Sequence, residues 1–200
     1  LALGAQDIST ELRGAFTGQI GAPMMKYAGA TYTIIGHSER RSPPAGGGET
    51  DEVINKKIKI ALSQGLKVIF CVGERSRDEH GEYLTRLRVS IEKAVHRLPR
   101  TAARGLIITY EPVWAIGGDA RQADTPAGFL EHAIFIRKVL SHWCGQKIAL
   151  ELPILYGGSV NPKNVVAFIA EGGANGFLVG RESLRADHWR EIIRLVDRAV

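Results

Sequence analysis

Moving a proton between carbons needs a base, together with a group that polarises or protonates the oxygen next to them. The sequence offers one residue of each type at the end of an apolar run. Glu111 closes "LIITYE" and His37 follows "TIIG". Both runs read as buried strands, so both side chains are expected at strand mouths, where an imidazole and a carboxylate can converge on one substrate. Taken singly, each also fits a capping histidine or a surface glutamate. Three glycine turns follow later strands: "AIGG" at 115–118, "YGGS" at 156–159 and "LVG" at 178–180. They expose backbone N–H groups suited to cradling a phosphate, and Ser159 adds a hydroxyl. The segment "PVWAIGGDARQADTP" has the makeup of a lid, the alternative being a long surface loop. Pro112 stiffens the exit from the strand, Trp114 offers an apolar body at the hinge, and Gly117 and Gly118 let the tip turn.

Positioning these groups requires a regular frame. Six short apolar runs recur, at 1–6, 31–36, 67–73, 106–111, 153–158 and 176–180, each reading as a strand buried on both faces. Helical patterns separate them. Residues 51–64 carry an apolar stripe that stops at Gly65, and 126–143 open with Thr125 as N-cap and Pro126 in the first turn. Residues 161–171 end at Gly172, and a last helix is expected from near Asp187 to the C-terminus. Strand and helix alternate throughout with no linker, which predicts one α/β domain over 1–200 with parallel strands, doubly wound or barrel-like. Both architectures place ligands at the C-terminal ends of the strands, where the polar and glycine-rich stretches fall.

Composition narrows the functional classes. The net charge of +5 comes from 26 basic and 21 acidic residues without a block of either sign, which argues for a solvated surface rather than nucleic-acid binding. Cys71 and Cys144 read as reduced thiols of a cytoplasmic protein, and their spacing suggests no metal site. No apolar run reaches the roughly 18 residues of a membrane helix.

In order along the chain, "GHSERR" at 36–41, "YEPVWAIG" at 110–117, "YGGSV" at 156–160 and "FLVG" at 177–180 closely resemble the triosephosphate isomerase family. "GAFTGQI" at 14–20 and "CVGE" at 71–74 are similar to further parts of it. The resemblance implies a TIM barrel that interconverts glyceraldehyde 3-phosphate and dihydroxyacetone phosphate through an enediolate, with no metal or organic cofactor. It implies Glu111 as the base and His37 as the neutral electrophile; the family is itself a standard example of pKa tuning, so these roles come with the resemblance. Glu39 would stand behind the site, and Gly117, Ser159 and Gly180 would hold the phosphate. Residues 112–123, with Pro112, Val113, Trp114 and Gly118, would form the lid, and Thr17 would reach into a neighbouring subunit.

Aligned by these motifs, residues 1–6 match the family's third strand. The expected frame is therefore an incomplete (βα)6, without the Asn-x-Lys that the family carries on its first strand and that normally partners the residue matching Glu39. Arg181 stands at a usual glycine, and the loop after "GHSERR" and the lid are lengthened. A homo-oligomer with a non-standard interface, or a closed six-stranded variant, is expected because two sheet edges are left open. Three functions fit: the isomerase, a silent relative that binds phosphate without turnover, and an isomerase of another small sugar phosphate.

Overall fold

A computed structural model of the chain describes residues 1–43, 46–116 and 124–199. Five parallel strands, β1 (Gly4–Ala5), β2 (Tyr32–Ile35), β3 (Lys67–Val72), β4 (Leu106–Tyr110) and β5 (Ile154–Tyr156), pair in sequence order. Between and after them run α1 (Ala22–Tyr27), α2 (Ser38–Arg41), α3 (Asp51–Ser63), α4 (Glu82–Ala94), α5 (Pro126–Cys144), α6 (Gln146–Glu151), α7 (Val165–Ala170) and α8 (Ala186–Ala199). The expected parallel α/β alternation is present.

Its ends differ from expectation. The first run shortens to the two residues of β1, whose Gly4 is exposed, because this strand has a partner on one side only among the described residues. The sixth run contributes a single bridge, Tyr156 to Phe177, held by Tyr156 N–H to Gly176 O and Leu178 N–H to Tyr156 O. Strands one and six do not pair among the described residues, so the sheet is open and the closed six-stranded variant is not the arrangement found.

Central strands bury both faces as the continuous apolar runs require. Val68, Phe70, Ile108 and Tyr110 of β3 and β4 are fully covered, and each such large side chain contributes roughly 1.5–3 kcal/mol through burial. On the helix side they meet Ile54 and Ile58 of α3, Leu87 and Ile91 of α4, and Phe129 and Ile136 of α5. Aromatic rings close the end nearest β5: Tyr156 stacks on Phe168 at 3.9 Å and Phe129 meets Tyr156 edge-on at 5.6 Å.

Local chemistry sets the helix bounds. Thr50 Oγ1 accepts from Val53 N–H at the start of α3, and Gly65, at φ +70°, follows its last turn in the left-handed region that glycine adopts without strain. Thr125 Oγ1 accepts from Gly128 N–H at 3.0 Å, with Pro126 supplying the first turn of α5. Thr125→Ala is expected to cost about 1 kcal/mol, read as a lowered urea midpoint at unchanged slope.

Candidate active site

β4 delivers Glu111 to the C-terminal mouth of the sheet. Its N–H donates to Val72 O at 2.9 Å, continuing the ladder for one residue past the strand, and its residue is only 2% exposed. β2 delivers His37 beside it. The two strands are separated by β3, whose exit must let the chains approach: a Cβ at Gly73 would lie 1.7 Å from Glu111 O. Gly157 is similarly confined, its Cβ position falling 2.5 Å from Thr109 Cγ2 and 3.1 Å from Glu111 Cγ.

The carboxylate is held at one oxygen and open at the other. Ser38 N–H donates to Oε2 at 2.9 Å. His37 Nε2 lies 3.1 Å from Oε1, within ion-pair range but not aligned as a hydrogen bond, so this buried oxygen has no hydrogen-bond donor. An unsatisfied buried acceptor is normally costly, and here it is the lone pair free to take a proton.

His37 caps α2, its Nδ1 accepting the Glu39 N–H at 3.3 Å. An accepting Nδ1 requires a neutral ring with its proton on Nε2, a tautomer assigned from the hydrogen-bond pattern. Burial pushes the Glu111 carboxyl above its ordinary value. His37, the Ser38 N–H and Arg41 oppose that rise, and Glu39 reinforces it. A base raised in this way is better matched to abstracting a weakly acidic proton near neutral pH.

Arg41 fixes the turn that carries His37. Its guanidinium donates to Gly36 O (2.7 Å), Cys71 O (3.0 Å) and Asp51 Oδ1 (2.8 Å), tying the ends of β2 and β3 to α3. Glu39 is exposed, and its carboxylate makes no hydrogen bond or ion pair among the described residues.

Two of the expected phosphate residues, Ser159 and Gly180, lie on neighbouring segments. The bridge at Tyr156 and Phe177 puts Ser159 and Gly180 equally far along neighbouring segments. Ser159 Oγ donates to Ala115 O at 2.7 Å, drawing its turn against the chain that leaves Glu111. A Cβ at Gly180 would meet nothing within 4 Å, so there is open space beside it. Gly117 and Gly118 lie outside the described residues.

Of the expected lid's first residues, Pro112 is buried, Val113 N–H donates to Glu74 O at 3.0 Å and Trp114 Nε1–H donates to Glu74 Oε1 at 2.8 Å. Thr17 stands on an exposed loop whose base is closed by Ser9 N–H to Ile20 O. Under this loop an open cavity of about 430 Å³ holds Lys57 between Asp7 and Glu49, with Arg40 beside them; neither His37 nor Glu111 lines it. Ser38, Arg41 and Glu74 were not singled out by residue type or spacing. Only the "GHSERR" and "CVGE" motifs that contain them signalled those positions.

A buried carboxylate and a neutral imidazole meet at the C-terminal mouth of an open parallel α/β sheet, a pair chemically able to exchange protons with a substrate. The sequence model of the triosephosphate isomerase family matches residues 1–196. The chain is 42% identical over 195 residues to triosephosphate isomerase of Carboxydothermus hydrogenoformans, spanning 97% of this chain and 76% of that protein. It is 44% identical over 192 residues to the Geobacter metallireducens protein of the same name, spanning 96% and 74%. With that of Natranaerobius thermophilus it shares 38% over 200 residues, spanning 99% and 75%. The chain belongs to the triosephosphate isomerase family.

Proposed function

We propose that the chain interconverts D-glyceraldehyde 3-phosphate and dihydroxyacetone phosphate through an enediolate. The observation that carries this reading is the buried Glu111 carboxylate, with one oxygen free of hydrogen bonds 3.1 Å from His37 Nε2. That oxygen takes the proton from the carbon next to the carbonyl. The electron pair left behind forms the enediolate, whose oxygen receives a hydrogen bond from the Nε2–H of His37. His37 Nε2 gives its proton to the former carbonyl oxygen and takes one from the former hydroxyl oxygen, and Glu111 returns its proton to the neighbouring carbon, so bonds and charge balance with no other reactant.

Ser159 and Gly180, with Gly117, hold the phosphate, and residues 112–123 cover the reacting carbons. Glu39 supports the site from behind through its backbone N–H on His37. Association is proposed through the loop bearing Thr17, whose Phe16 and Ile20 are exposed, and through the edge of β1 that is unpaired among the described residues, beside exposed Leu3; the product is a homo-oligomer with a non-standard interface. Buried free Cys71 and Cys144 fit a cytoplasmic setting. No helix among the described residues is long and apolar enough to cross a membrane.

Arg181 follows Gly180 and makes no ion pair among the described residues, which favours a second reading, an isomerase of another small sugar phosphate. A coupled assay separates the cases. Turnover of glyceraldehyde 3-phosphate, competitive inhibition by inorganic phosphate, and far slower turnover of unphosphorylated glyceraldehyde are expected. Turnover of a different aldose phosphate in preference would establish the second reading. Stabilisation by phosphate without any turnover would establish the silent relative.

A further inference from the structure

A second buried polar cluster lies behind Glu111, and the proton-transfer scheme does not use it. Glu74, just past β3, is 5% exposed. Its Oε1 accepts from Tyr110 OH (2.7 Å), Trp114 Nε1–H (2.8 Å) and Arg77 Nε–H (2.9 Å). Arg77 also donates from Nη2 to Tyr110 OH at 2.9 Å, lies over the Trp114 ring at 4.5 Å, and brings Nη2 to 3.8 Å from Asp124 Oδ1.

One planar guanidinium therefore touches three points of the chain around the base. Tyr110 precedes Glu111, Trp114 belongs to the stem that leaves it, and Asp124 is the residue from which the chain enters α5. Glu74 bolts the same stem by its main chain, through Val113 N–H. A planar fork that donates along two directions while stacking on an indole is an arrangement an ammonium group cannot reproduce.

We propose that Arg77 is a positioning residue for the reaction: by joining Tyr110, Trp114 and Asp124 it holds the stem against Glu111 and keeps water from the carboxylate. The inference rests on Glu111 acting as the base. Charged and titratable groups facing Glu111 are His37, Glu39 and Arg41 from the end of β2 and α2, and Cys71 from β3. Arg77 is not among them, so its removal acts on Glu111 through hydration and not through its field. Water admitted to the site relieves the burial that holds the Glu111 carboxyl high, and its titration moves down.

The test is a carbon-13 NMR titration of the Glu111 carboxyl in the whole chain, with steady-state kinetics and melting curves, for wild type, Arg77→Met and Arg77→Lys. In Arg77→Met the Glu111 midpoint is expected to fall by about one pH unit. Its kcat per folded molecule is expected to drop roughly tenfold or more, with a smaller change in KM. Arg77→Lys is expected to recover the melting temperature without recovering either the midpoint or kcat, and it carries the test if the methionine variant fails to fold. An unmoved midpoint, an upward shift, or a kcat loss equal to the unfolded fraction overturns the proposal. A lowered midpoint in a chain whose wild type shows no turnover upholds the brace and removes the isomerase reading instead.

Discussion

Glu111→Gln is expected to lower kcat about a thousandfold, the middle of the range for loss of a positioned general base, while making the protein melt higher at neutral pH. The two effects share one cause. Burial holds the Glu111 carboxyl above its ordinary value, so the folded state binds this proton more tightly than the unfolded state. The resulting stability is fully present below the unfolded value and is lost as pH rises through the raised folded value. Above that raised value the ionised carboxylate is held against burial, and the neutral amide avoids that cost while keeping an acceptor for the Ser38 N–H. The difference in melting temperature should shrink to nothing as pH falls below the ordinary carboxylate range. In wild type the same titration sets the acid limb of kcat/KM, which should lie above the usual carboxylate range. Calorimetry across pH beside a coupled assay measures both.

Gly73→Ala is expected to cost about 3 kcal/mol or more, because overpacking against backbone leaves nothing flexible to yield. The added methyl carbon would stand 1.7 Å from Glu111 O and 2.5 Å from Glu111 C, so β3 and β4 must separate at their exits. That separation breaks the Glu111 N–H to Val72 O bond and displaces the base, so stability and turnover fall together. Gly65→Ala is the control: its Cβ would meet nothing within 4 Å, and only φ of +70° opposes it. It should cost about 1 kcal/mol and leave kcat unchanged. Urea unfolding midpoints with initial rates on both variants separate the outcomes.

Much of this frame is legible from residue order. Continuous apolar runs locate β2, β3 and β4 to within a residue or two because a parallel sheet buries both faces and tolerates little else. The cap of α5 is legible for a local reason, Thr125 satisfying an N–H three residues ahead; Thr50 does the same at the start of α3. Legibility fails where the determinant is distant. The stretch 176–180 is as apolar as its neighbours, yet it makes one bridge, since a second partner decides whether a strand propagates and none pairs with its far side among the described residues. Helix α7 begins at Val165, later than the pattern from 161 implies, because Asn164 Oδ1 and Asn161 Oδ1 accept the N–H groups of Asn161 and Lys163 and make a turn first. Helix α4 buries only Leu87, Ile91 and Ala94 in a segment rich in Arg and Glu, so few apolar residues mark it.

The site divides in the same way. Glu111 and His37 are visible as polar residues closing apolar runs, and their meeting at 3.1 Å follows from a parallel sheet that ends its strands on one side. Ser38 acts through its main chain, which no side-chain pattern reveals. Glu74 and Arg77 meet Tyr110 and Trp114 across more than thirty residues of chain, and such contacts exist only once β3 and β4 have paired. Glu39 is the reverse case: the motif marks it, and its backbone N–H, not its carboxylate, makes the contact seen here.

The central claim is that Glu111 moves a carbon-bound proton through its carboxyl group. The direct measurement is conversion of glyceraldehyde 3-phosphate in deuterium oxide, followed by proton NMR of the dihydroxyacetone phosphate formed. A proton held on a carboxyl exchanges with solvent, so product carrying deuterium on the newly protonated carbon is expected from wild type, with little product at all from Glu111→Gln. No conversion by wild type, or unlabelled product formed equally fast by both proteins, would contradict the account.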